Sequence, residues 1–251
     1  DPSDQLNPIN ANAIGPSRHW TPPRFMHGFL IRAGPDLEAQ PWAATDWEFE
    51  DDTTVTFQLR EDMTFHDGEP VTASDVAWTY QMMLDLEPPA YLNNVVQVVE
   101  SVEQVDEYTV TINLQEPYVP FIKTTAGIVP ILPEHYWTQL MEETGTTEQP
   151  WRITINDDRP AVGSGPFQWG TWDQGSRFEM PAFDDHFMAP NIDARIQRPL
   201  STSDAEQPAM INGDYDLLDY WFGDTQQLAE TVEENDVLSA VETLGTGGQS
   251  V

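Results

Sequence analysis

The stretch Val55–Leu84, VTFQLREDMTFHDGEPVTASDVAWTYQMML, decides how the chain is read. Val55, Phe57 and Leu59 alternate with polar residues, the period-two pattern of a half-buried strand. His66-Asp67-Gly68 supplies turn chemistry, a short acceptor side chain followed by a glycine free to take positive φ. Thr72 and Asp75 have the spacing of a helix-opening capping box, with Asp in place of the usual Glu. Val76, Tyr80, Met83 and Leu84 then recur at i, i+4, i+7 and i+8 and predict one apolar helical face. The stretch therefore predicts strand, tight turn and capped helix in succession.

Outward from it, the pattern predicts strands at 54–60, 95–103 and 108–114, the last two joined at Asp106-Glu107. A short helix is expected near Pro23–Phe29, another beginning between Pro117 and Pro120, and a third opened by Pro133 and running to about Glu143. A second hairpin is expected from 167–171 and 177–180 around Asp173-Gln174-Gly175-Ser176. Further strands are read at Ile192–Leu200 and Leu217–Trp221, and helices at Ser203–Ile211 and Thr225–Glu234. Strands and helices without a regular βαβ rhythm predict a mixed α/β or α+β fold.

Composition sets the environment. The 251 residues carry one lysine, Lys123, and nine arginines against 43 acidic residues, a net charge of −33. Aromatic residues make up 11% of the chain, so a core is available that a disordered acidic chain lacks. Self-repulsion at this charge density destabilises a compact state at low ionic strength. Molar salt shortens the screening length to about 3 Å and relieves it. The dispersed acids are read as adaptation to a high-salt medium, in preference to a patch for a cationic partner. Without a basic stripe to neutralise phosphates, nucleic-acid binding is disfavoured. There is no cysteine, hence no disulfide and no thiolate metal site. No window matches the apolar run needed to span a bilayer. The chain opens at Asp1 without an initiator Met or signal peptide, which is read as processing or trimming upstream.

Several shorter stretches carry a family likeness together with Val55–Leu84. They are Leu6-Asn7-Pro8, Pro41-Trp42-Ala43-Ala44 through Trp47, Ser101–Val110, Val129–His135, Gly163–Phe167 with Trp172, and Ile211–Asp216. In this order and at these spacings the chain resembles the family 5 solute-binding proteins of ABC importers, the peptide and nickel class. The resemblance implies a type II periplasmic-binding-protein-like lobe with the extra subdomain of the peptide-binding class. Residues 1–25 plus 130–251 would form the main sheet domain and 26–129 the inserted subdomain, with the second lobe missing from this chain. It further implies an extracellular protein anchored to the membrane from outside this segment. Such a protein needs no cofactor, captures a small solute, with peptide the first choice, and delivers it to ABC permease subunits. Nickel chelates and oligosaccharides stay open as solutes.

Candidate ligand contacts follow from the same resemblance. Asn10, Asn12, Ala13, Ile14 and Gly15 occupy the segment that runs beside the ligand in peptide-binding relatives, where main-chain hydrogen bonds hold an extended chain. The residues alone equally fit a loop stabilised by Asn side chains. Tyr220-Trp221-Phe222 follows Asp219 at the end of an expected strand. Side chains alternate along a strand, so all three rings cannot enter one face, and Tyr220 and Trp221 are candidates for a cleft wall. Subdomain packing is the competing account of the same rings.

The histidines His19, His27, His66, His135 and His186 show no i, i+3 or i, i+4 pairing, so no helical zinc motif exists. His66 is read as turn scaffolding; His19 and His27 lie near the expected ligand segment. The acid pairs Asp51-Asp52, Asp157-Asp158 and Asp184-Asp185 invite an alternative, a secreted hydrolase working through paired carboxylates. Among 43 acids such adjacency carries little information. Gly163-Ser164-Gly165-Pro166 lacks the G-x-S-x-G pattern of a nucleophile elbow and is read as a tight connection between subdomains.

Overall fold

A computed structural model describes residues 6–10, 21–34, 36, 38–87, 92–198, 206–217 and 225–235. The chain forms two compact units, Asp1–Gly34 with Glu38–Gln197, and Pro35–Leu37 with Arg198–Val251.

The first unit is organised around an antiparallel sheet of order β3-β4-β6-β5, built from Ala44–Phe49, Thr54–Leu59, Thr109–Leu114 and Val99–Gln104. Phe57 stands opposite Val110 and Val55 opposite Ile112. All four are fully buried, so the alternation in β4 does set the inward face. The outward face is polar and internally bonded: Thr56 Oγ1 lies 2.8 Å from Thr111 Oγ1, and Thr109 Oγ1 donates to Gln58 Oε1 at 3.2 Å. Helix α2 (Ala73–Leu86) packs on this sheet through Val76, Tyr80 and Met83, all buried, with Leu84 partly so.

Two expectations about this sheet are corrected. The segment expected as one strand from 95 to 103 begins as helix α3 (Asn93–Val98) and becomes β5 only at Val99. Its Val-rich composition favours strand locally. Packing of Leu92 and Val95 into the core beside α2 overrides that preference. The helix expected between Pro117 and Pro120 is instead a π-helical turn, Ile122–Ala126. Ahead of these elements come α1 (Thr21–Met26) and the small hairpin β1–β2 (Ile31–Ala33, Ala39–Pro41).

Asp75 has a wider role than its spacing implied. Its Oδ2 accepts the backbone N–H and the hydroxyl of Thr72, both at 3.0 Å, which closes the start of α2. Its Oδ1 accepts the N–H of Glu134 at 3.1 Å, the first residue of α4 (Glu134–Thr144). One carboxylate thus holds two helix N-termini together. Burial pushes its pKa up, against those three hydrogen bonds, which pull it down.

A third sheet, β7-β8-β9, joins Trp172–Asp173, Arg177–Pro181 and Ala194–Gln197. The turn at 173–176 lies where expected, but the first strand sits against the turn and not at 167–171. Farther out the pairing continues irregularly, through the isolated bridge Phe167–Ala182 and the backbone bonds Gln168 N–H to Pro181 O and Glu179 N–H to Thr171 O, both 2.9 Å. In the second unit, α5 (Glu206–Ile211) ends at Asn212-Gly213, with Asp214 N–H bonded to Ala209 O at 2.8 Å. Helix α6 spans Thr225–Glu234 with Thr231 buried. The strand expected at Leu217–Trp221 lies, after Leu217, outside the described residues.

Candidate functional site

Of the residues expected to touch a ligand, Asn10 is described; Asn12, Ala13, Ile14, Gly15, Tyr220 and Trp221, like His19, lie outside the described residues. The segment leading to Asn10 is firmly seated. Asn7 is fully buried, and its Nδ2 donates to Pro150 O at 3.0 Å and Ile153 O at 2.9 Å. Its Oδ1 accepts the N–H of Ile9 at 3.0 Å, so the amide is satisfied on both sides. Leu6 and Ile9 are buried beside it. Asn10 Nδ2 donates to Trp151 O at 2.8 Å, and its N–H to Asn7 O at 3.1 Å. The chain therefore enters the 11–15 stretch from a fixed point. Asn7 was visible in the Leu6-Asn7-Pro8 likeness but not as an anchor, because its partners lie more than 140 residues away.

The Gly163–Pro166 stretch is a strap lying against the end of α1. A Cβ on Gly163 would sit 2.0 Å from Met26 O, and one on Gly165 2.3 Å from Phe25 O, so only glycine permits the approach. Ser164 is fully buried with its Oγ accepting Gly28 N–H at 3.2 Å, a structural bond and not a poised nucleophile. His66 closes the other side. Its Nδ1 accepts Gly163 N–H at 3.2 Å and its Nε2–H donates to Gly165 O at 3.0 Å. The reading of His66 as scaffolding for its own turn is therefore too narrow, since the ring also holds a segment nearly a hundred residues away.

In two of the three acid pairs one member is occupied locally. Asp51 Oδ1 accepts Thr53 N–H and Thr54 N–H, each at 2.8 Å, and these bonds hold its pKa below the usual carboxylate range. Asp157 Oδ1 accepts the indole N–H of Trp169 at 3.0 Å. An open groove of about 590 Å³ between the 69–75 segment and α4 is lined by Glu69, Asp75, Glu134, His135 and Glu142, among others. Asn10, the described one of the expected ligand contacts, is not among the lining residues. Among the described residues no three His, Asp or Glu side chains converge as a metal site, and no helix is long and apolar enough to cross a membrane.

Comparison with known proteins places this geometry. The family model for bacterial extracellular solute-binding proteins, family 5 (middle region), matches residues 38–249. Protein XP55 of Streptomyces lividans is 33% identical over 150 residues, 59% of this chain and 25% of the relative. The oligopeptide-binding protein AppA of Bacillus subtilis is 25% identical over 195 residues, 75% of this chain and 34% of the relative. The solved structure of that AppA with a nonapeptide superposes with a TM-score of 0.76 at 20% identity, covering 91% of this chain and 43% of AppA. NikZ of Campylobacter jejuni in complex with Ni(L-His) gives a TM-score of 0.68 at 21% identity, covering 84% of this chain and 40% of NikZ. The shared fold is that of type II periplasmic binding proteins of the peptide-binding class. The chain spans well under half the length of each of these relatives.

Proposed function

We propose, because this chain belongs to the family 5 bacterial extracellular solute-binding proteins, that it forms the first lobe of the capture component of an ABC importer. Its work is binding without chemistry. Two lobes close on a solute by a hinge motion, driven by contacts made only in the closed form, and present it to a membrane permease. Oligopeptide is the solute class favoured. Relatives and structural neighbours named as peptide-binding support that choice, with nickel chelate as the second reading on the strength of NikZ. The hydrolase alternative finds no support: the family is one of binding proteins, Asp51 is engaged in a turn and Asp157 with an indole.

The ligand contacts are Asn10, Asn12, Ala13, Ile14 and Gly15 along the solute, and Tyr220 and Trp221 as cleft wall. The observation that supports the first group is the buried Asn7 anchor, which together with the Asn10–Trp151 bond fixes the chain up to Asn10; a strand-like main chain beyond it would hydrogen-bond an extended solute. Residues 1–25 plus 130–251 serve as the main domain and 26–129 as the inserted one. The protein works outside the cell in a high-salt medium, as its charge of −33 suggests, tethered by an anchor outside this segment. Calorimetric titration in 2 M KCl with tri- to nonapeptides tests the reading. Saturable binding to the protein together with its second lobe, at least tenfold weaker with this chain alone, is expected. Binding of no peptide, with turnover of a glycan or ester, contradicts it.

A further inference from the structure

Three histidines far apart in sequence act on one another in the first unit; in His66 and His186 the neutral ring accepts a bond that protonation removes, and in His27 a proton would be buried without an acceptor among the described residues. His66 Nδ1 is an acceptor, facing Gly163 N–H at 3.2 Å, while Nε2–H donates to Gly165 O. A proton on Nδ1 would set donor against donor. His186 Nδ1 likewise accepts Met188 N–H at 3.0 Å. His27 Nδ1–H donates to Pro23 O at 3.0 Å, which leaves Nε2 a buried lone pair with no hydrogen-bond partner among the described residues. A proton there would bury a charge without an acceptor.

His27 and His66 flank the strap, and His186 follows the Phe183 segment, whose N–H donates to Pro166 O at 2.9 Å. His27 Cδ2 lies 3.1 Å from where a Gly163 Cβ would stand, and the His66 ring meets Phe183 edge-on at 5.0 Å, three residues before His186. Among the described residues the charged groups acting on them are few. Asp67 acts on His66 but is engaged by His135 at 2.8 Å; Arg60 and Asp62 act on His186, and Arg60 ion-pairs with Asp62 at 2.6 Å. His66 acts on His27, and His186 on His66, in the sense that disfavours a second proton.

We propose that His66, backed by His27 and His186, forms an acid-release latch: its neutral ring bonds the Gly163–Gly165 strap to the 66–68 turn, the neutral His27 ring packs beside the strap at the end of α1, the neutral His186 ring orders the neighbouring 186–188 turn, and protonation frees the strap. Burial, the largest cause at all three, pushes His27 down to about 3 and His66 and His186 down to about 4. The folded state thus binds fewer protons than the unfolded one between the ordinary histidine value of 6.5 and about 4. The latch's contribution is full above that interval and is lost as pH falls through it.

The test is a histidine-selective NMR titration of the full chain in 2 M KCl from pH 7.5 to 3.5, with hydrogen exchange followed in parallel. His66 should remain the neutral Nε2–H tautomer to below about pH 5. As it titrates, amides of Gly163–Phe167 should lose at least tenfold more protection than those of β4 and β6. In His66→Gln, which keeps a neutral donor and acceptor, strap opening should move to lower pH or vanish. Titration of His66 near its ordinary value with the strap still protected overturns the proposal. So does loss of protection in strap and strands together, or opening of the His66→Gln strap at the wild-type pH. If His66→Gln does not fold, the wild-type titration decides alone.

Discussion

The sheet region of residues 44–114 and the strap region of residues 163–188 are held by different forces. In the first, Val55, Phe57, Val76, Tyr80, Val110 and Ile112 meet as fully buried apolar groups, with a single carboxylate, Asp75, joining two helix starts at the edge. In the second, glycines allow backbone to lie on backbone, and imidazole, guanidinium and aromatic rings supply the contacts. Arg60 shows the style. Its guanidinium sits 3.3 Å from the centre of the Phe187 ring, makes two bonds to Asp62 at 2.6 and 3.1 Å, and donates to Trp42 O at 3.4 Å. Phe187 in turn meets Trp42 edge-on at 5.2 Å. Burial of hydrocarbon answers weakly to pH, whereas contacts through neutral imidazoles do not survive their protonation. The two regions should therefore come apart under different conditions.

The comparison breaks most decisively at Phe57. Phe57→Ala removes a fully buried ring opposite Val110 and should cost about 3–5 kcal/mol at every pH, read from denaturant midpoints. A loss that appears only in acid would mean that the two regions are not separable. Next comes Gly163→Ala, whose methyl would stand 2.0 Å from Met26 O. It should cost about 1–3 kcal/mol by overpacking and expose the 163–167 amides at neutral pH, imitating acid. Unchanged exchange there would show that the strap accommodates a side chain. The smallest effect belongs to Arg60→Ala. Loss of a stacked cation and a part-exposed ion pair should lower stability by about 1 kcal/mol, with little change in solute binding.

How much of this was legible in the sequence follows the same division. The alternation at Val55, Phe57 and Leu59, the Thr72–Asp75 spacing and the α2 stripe are local signals, and the structure repeats them. The start of α4 at Glu134 after Pro133 and the whole of α6 were equally local. α3 was not, because its valines prefer strand until Leu92 and Val95 find the core. Nor was the second bond of Asp75, to a helix 59 residues on. The strap was seen as a connection, but not what holds it: only the fold brings the His66 ring to Gly163 and Gly165, nearly a hundred residues on, and the His27 ring beside it. The anchor at Asn7 was hidden for the same reason, since an asparagine beside a proline reads as turn chemistry until carbonyls from 150–153 are placed around it. Of the ligand contacts, the likeness supplied the segment and the structure supplies the seat of Asn10.

The central claim is capture of a solute by a lobe whose N-terminal segment is presented from a fixed anchor. It is tested most directly by native mass spectrometry of the protein isolated gently from its own source. The expected result is a population of non-covalently bound peptides, displaced by added peptide and chemically unaltered on release. Protein that carries no small molecule, or that returns an added substrate cleaved, would contradict it.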